Sequence, residues 1–121
     1  MRNFSILIVA LLLITGCANS QTNEKSETEQ TTAQNIDFEN AYFVDVRTPQ
    51  EFASGHYDGA INIPLNTIEN YIEEIKGHEQ VVVYCRSGGR SAQAKKVLDN
   101  AKVENVINGI NQDNLESLKT K

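Results

Sequence analysis

Cysteine is scarce in this chain, tryptophan is absent, and basic residues are outnumbered: 2 Cys, 0 Trp, and 11 Lys and Arg against 16 Asp and Glu in 121 residues. The net charge of −5 and the scatter of Lys and Arg make the chain a poor binder of polyanions, so nucleic acid is not an expected partner. No apolar run approaches the roughly 20 residues that a spanning helix needs, which excludes a multi-span membrane protein. No internal repeat is evident. What is present is ordinary globular composition, 40% hydrophobic and 22% charged, in a length that suits one compact domain. Cys17 and Cys85 allow one disulfide, two isolated thiols, or two thiols with separate tasks.

The N-terminus favours separate tasks. Met1-Arg2-Asn3 is a minimal basic start, and Ile6 to Ile14 runs without a polar residue. That is the length of a signal-peptide apolar region rather than of a spanning helix. It ends in Ile14-Thr15-Gly16-Cys17, which resembles a bacterial lipobox: an aliphatic residue, two small residues, then the cysteine. Residues 1–16 are therefore expected to be a lipoprotein signal peptide, and Cys17 the lipidated residue. Acyl chains on Cys17 would anchor the protein to a membrane of the bacterial cell envelope, facing outside the cytoplasm. Asn19 to Gln34 holds no aromatic and one small apolar residue, Ala33. Such a segment cannot bury enough surface to offset its ordering entropy, so residues 17–34 are expected to be a lipidated, disordered tether.

The remainder, residues 35–121, alternates strand and helix signals. Tyr42-Phe43-Val44-Asp45-Val46 suits a buried strand. Thr48, Pro49 and Glu51 make a capping box with proline at the first helical position, so a short helix should run to Ser54 and stop at Gly55. Ile61 and Ile63 mark a second short strand, closed by Pro64. Asn66 is placed to cap a helix whose inner face is Ile68, Tyr71, Ile72 and Ile75, ended by Gly77. Val81-Val82-Val83-Tyr84 reads as a parallel strand covered on both faces. Ser91 to Asn100 should be a helix packed through Ala94, Val97 and Leu98. Val106-Ile107 should be a last strand, and Asp113 to Lys119 a terminal helix. This order predicts an α/β fold with a mostly parallel central sheet and helices on both faces. Such sheets bind ligands where the carboxyl ends of strands meet helix starts.

One junction stands out: Cys85-Arg86-Ser87-Gly88-Gly89-Arg90-Ser91. A cysteine ends a buried strand, two glycines let the backbone bend, and a helix begins within six residues. Inward-turned N–H groups and a helix N-terminus form an anion cradle. Arg86 and Arg90 add positive charge in an acidic protein. A thiol placed there should have a depressed pKa, so the residues point to a thiolate nucleophile acting on a small oxyanion.

From Ile36 to Leu118 the chain resembles the single-domain rhodanese family. Cys85-Arg86-Ser87-Gly88-Gly89-Arg90 matches that family's six-residue active-site loop, Cys-Arg-x-Gly-x-Arg. Val44-Asp45-Val46-Arg47 is similar to its first-strand motif. Glu51-Phe52, Gly55-His56 and Gly59-Ala60-Ile61-Asn62-Ile63-Pro64 are similar to its second signature. At the far end Asn108-Gly109-Ile110 stands where the family usually carries a Gly-Gly pair, and the usual tryptophan is missing. The resemblance implies a sulfurtransferase: Cys85 takes a sulfane sulfur from thiosulfate or a similar small anion, releases sulfite, and passes the sulfur to cyanide or a thiol. It further implies that Arg86, Ser87, Gly88, Gly89, Arg90 and Ser91 bind substrate, with the two arginines orienting the donor. No metal or organic cofactor is implied. Asp45, Arg47 and His56 are expected to be structural in this family, and His78 to lie exposed in a turn. Two other functions compete: a persulfide carrier or redox-partner-binding module without turnover, and a Cys-x5-Arg phosphatase, whose loop is one residue longer than Cys85 to Arg90.

Overall fold

The computed structural model describes residues 35–121. The signal peptide, Cys17 and the tether expected from the sequence lie outside the described residues. Four strands form one wholly parallel sheet: β1 (Tyr42–Asp45), β2 (Ile61–Asn62), β3 (Val81–Cys85) and β4 (Val106–Asn111), in the order β2-β1-β3-β4. The helices are α1 (Pro49–Ala53), α2 (Ile72–Ile75), α3 (Gly89–Asn100) and α4 (Gln112–Lys119).

β3 is the spine, with all five residues buried. Its side chains alternate between two cores, as the pleat requires. Val81, Val83 and Cys85 join Val44, Ile68, Ile75, Ala94 and Leu98 on the face covered by α2 and α3. Val82 and Tyr84 join Phe43, Tyr57, Ile107 and Leu115 on the face covered by α4, where Phe52 of α1 also packs. Burial on both sides explains why β3 is an unbroken apolar run rather than an alternating one. It also fixes the side of the sheet on which Cys85 emerges, beside the start of α3.

The elements differ from the sequence expectations at their ends. Asn66 does not cap a helix. The Leu65 amide donates to the Val46 carbonyl at 3.0 Å, so the chain leaves the sheet directly into a 3-10 segment, Leu65–Tyr71, that runs on into α2. The 3-10 period turns Tyr71 outward, 40% exposed, rather than into the core. α3 begins at Gly89, two residues before Ser91, because Gly88 adopts a left-handed φ of 93° and completes the turn early. β4 continues past Ile107 to Asn111 through an irregularity in its pairing with β3 at Val83/Tyr84. Gly109 sits in this stretch for a steric reason. A Cβ there would lie 2.8 Å from Leu115 Cδ2 and 2.9 Å from Val82 Cγ1. Leu115 of α4 thus occupies the space that a side chain at 109 would need. The capping box at α1 forms as expected, with Thr48 and Glu51 each bonding the other's backbone amide.

Gly109→Ala is expected to destabilise the domain by about 1–3 kcal/mol, the usual range for overpacking a filled core. A lower urea midpoint at an unchanged slope would show it, and an unchanged midpoint would contradict this packing.

Candidate active site

Cys85 closes β3 on the α3 face and is 2% exposed. The left-handed Gly88 folds the loop back over it. The Gly88 amide then donates to Cys85 Sγ at 3.1 Å, and the Ser91 amide, in the first turn of α3, at 3.4 Å. The Ser91 hydroxyl also lies 3.4 Å from the sulfur. Burial pushes the Cys85 thiol pKa up, but the Ser91 hydroxyl and the amides of Ser91, Ser87 and Gly88 together outweigh it and hold the thiol below its ordinary value of 9.0. Neutral dipoles therefore favour the thiolate form of the sulfur. No histidine takes part: His56 is stacked on Phe52 at 3.7 Å, with its Nδ1 2.9 Å from the Phe52 carbonyl.

The loop residues divide into distinct roles. Gly88 and Ser91 reach the sulfur directly. Ser91 is fully buried behind it, its hydroxyl 2.7 Å from Asn108 Oδ1 and 3.1 Å from the Gly88 carbonyl. The Ile110 amide donates to the same Asn108 oxygen at 2.9 Å and fixes the orientation of that side chain, while the single Ser91 hydroxyl proton is shared among this oxygen, the Gly88 carbonyl and the sulfur. Ser87 and Gly89 are exposed on the outer rim. Ile110 holds a left-handed φ of 69°, a conformation that costs a β-branched residue roughly 1–3 kcal/mol. Its Cγ2 would meet any Cβ added at Gly88 at 3.2 Å. The irregularity in β4 thus presses against the loop that carries the amides.

The two loop arginines behave differently. Arg90 is committed to Glu51 in a bidentate pair, Nη1 to Oε2 at 2.7 Å and Nη2 to Oε1 at 2.9 Å. Arg86 reaches Glu51 only through Nε at 3.5 Å, and its side chain is 72% exposed. Glu51 therefore ties the start of α1 to the loop, a partnership that neither its capping-box position nor its place in the second signature announced. A third arginine, Arg47, is held by Asp45: Nη2 lies 2.6 Å from the Asp45 carboxylate and 2.7 Å from the Gly55 carbonyl. Asp45 is fully buried. The pair joins charges and ties a loop, which accords with the structural role expected of Asp45 and Arg47. His78 is exposed, stacked on Tyr42 at 3.6 Å.

A pocket of about 210 Å³ opens above the sulfur, lined by Arg47, Cys85, Arg86, Asn111, Gln112 and Asp113. The last three come from the β4–α4 junction, where Asn111 caps α4 by accepting from the Asn114 amide at 2.8 Å. Nothing in the sequence marked this wall as part of the site, because strand pairing alone brings it beside Cys85. Among the described residues, no group of three His, Cys, Asp or Glu side chains is placed to hold a metal ion.

The Arg90 guanidinium, followed by the Thr48 amide, holds the Glu51 carboxyl well below its ordinary value of 4.5. A depressed folded-state pKa stabilises the fold above the unfolded value, and that contribution is lost as pH falls below it. The wild type should therefore be more stable than Glu51→Gln at about pH 6, with the gap narrowing towards about pH 3. Urea midpoints across this range check it; a gap constant with pH would contradict the clamp.

The family model described as "Rhodanese-like domain" matches residues 28–112. A sulfurtransferase of Allochromatium vinosum is 45% identical over 58 residues, covering 48% of this chain and 54% of that protein. The thiosulfate sulfurtransferase PspE of Escherichia coli is 39% identical over 59 residues, covering 47% and 57%. The chain thus spans about half the length of the relatives it matches. Among solved structures, a rhodanese with anions from E. coli superposes with a TM-score of 0.57 at 33% identity, covering 61% of this chain and 89% of that one. The parallel sheet, the cysteine at its central strand end and the family match agree: the chain belongs to the rhodanese-like domain family.

Proposed function

We propose that the protein is a sulfurtransferase that moves a sulfane sulfur from thiosulfate, or a similar small donor, to a thiophilic acceptor through a persulfide on Cys85. The observation that carries this reading is the convergence of the Gly88 and Ser91 amides on a buried sulfur. The Cys85 thiolate attacks the outer sulfur of the donor. The donor's S–S bond breaks, and sulfite leaves with the electron pair. The new persulfide is an anion one atom further into the loop, where inward N–H groups offset its charge. A thiolate or cyanide then attacks the terminal sulfur and returns the electron pair to Cys85. Arg86 is the more exposed loop cation, its side chain 72% exposed against 36% for Arg90, so orientation of an anionic donor falls to it rather than to Arg90.

A phosphatase reading fits less well. The loop from Cys85 to Arg90 is one residue shorter than that chemistry uses, and Arg90 is bound bidentately to Glu51 rather than open to phosphoryl oxygens. A carrier without turnover would share every contact to the sulfur, so kinetics must separate the two. With thiosulfate and cyanide in excess, the wild type should release sulfite over many turnovers and Cys85→Ser none. No release from the wild type, or equal release from both, would sink the proposal. A single stoichiometric burst would make the protein a carrier.

A further inference from the structure

The charges around Cys85 balance. Arg47, Arg86 and Arg90 face Asp45, Glu51 and Asp113, three of each sign. Two of the acids are consumed: Asp45 by Arg47, and Glu51 by Arg90 with a long contact to Arg86. That leaves Arg86 and Asp113 lining one pocket with the sulfur. The Arg86 side chain is 72% exposed, and none of the ion pairs among the described residues includes Asp113. Asp113 stands in the first turn of α4, where the helix dipole favours an acid. That local preference accounts for its residue type. It does not account for the place of this acid on a pocket that Cys85 and Arg86 also line.

A carboxylate there repels a dianionic ligand and attracts a cationic one. A ligand that meets both Arg86, which reaches Glu51 only through Nε at 3.5 Å, and Asp113 carries an ammonium and a carboxylate close to its sulfur. The pocket's 210 Å³ lies below the about 300–1,000 Å³ of sites for drug-sized ligands, so the molecule must be small. The wall adds polar groups rather than apolar ones: Asn111, and Gln112, whose amide is held by Glu116 at 2.7 Å.

We propose that this pocket selects a small zwitterionic aminothiol as the acceptor, Arg86 facing its carboxylate and Asp113 its ammonium. The inference rests on the sulfurtransferase reading. In the step it governs, the acceptor thiolate attacks the outer sulfur of the Cys85 persulfide. The S–S bond breaks, its electron pair returns to Cys85 Sγ, and the acceptor departs as its own persulfide. No oxidant or reductant is consumed.

The test uses protein loaded with sulfur from thiosulfate and four acceptors: cysteine, cysteamine, 3-mercaptopropionate and cyanide. Asp113→Asn should lower the second-order rate constants for cysteine and cysteamine about two- to fivefold, as loss of an exposed ion pair does. It should not lower those for 3-mercaptopropionate or cyanide, which lack the ammonium. The cyanide rate also reports that the variant is folded and loaded. An equal change for all four acceptors, or none for any, would overturn the inference while leaving sulfur transfer intact. Failure of the wild type to load, or to yield sulfur to cyanide, would overturn the sulfurtransferase reading itself.

Discussion

The contact on which the site depends is between backbone and sulfur: the Gly88 and Ser91 amides aimed at Cys85 Sγ. Everything nearby serves to place those two N–H groups. β3 is buried on both faces and cannot shift, so the sulfur is a fixed point. Gly88 takes the left-handed turn that a Cβ would strain, and α3 begins in time to present Ser91. Asn108 holds the Ser91 hydroxyl from behind, and Ile110 packs against the loop from β4. A buried thiol whose charged form is favoured by oriented neutral dipoles needs no mobile base, and it needs little reorganisation when a charged sulfur is added.

The electrostatics around this cradle are more restrained than a loop with two arginines suggests. Glu51 absorbs Arg90 and touches Arg86, while Asp45 absorbs Arg47. Half-buried ion pairs of this kind fix geometry more than they stabilise. Here the Glu51–Arg90 pair joins α1 to α3 across the mouth of the site, and the capping box gives Glu51 a fixed starting point. Positive charge available to a ligand is thereby concentrated on Arg86.

The fold was largely legible because its signals are local and strong. The β-branched run of β3, the capping box of α1 and the glycines after Cys85 each carry their conformation in a few adjacent residues. The nucleophile position was legible for the same reason. What escaped were features set by distant segments. Asn66 reads as a cap, but the Leu65 bond to Val46 overrides it. Val106-Ile107 alone reads as the last strand, yet pairing to β3 carries β4 on to Asn111. The partnership of Glu51 with Arg90 spans 39 positions. The polar wall of Asn111, Gln112 and Asp113 exists only because β4 lies beside β3. No spacing rule reports such neighbours.

Neutral donors, the Ser91 hydroxyl and the loop amides, lower the Cys85 pKa against the opposing effect of burial. The direct measurement is the pH dependence of Cys85 alkylation in the wild type and in Ser91→Ala. The wild type should show a midpoint below the ordinary thiol value of 9.0. Removing the hydroxyl should move it upward, since a donor that favours the charged form is lost. A wild-type midpoint at or above that value, or one unmoved by Ser91→Ala, would contradict the account.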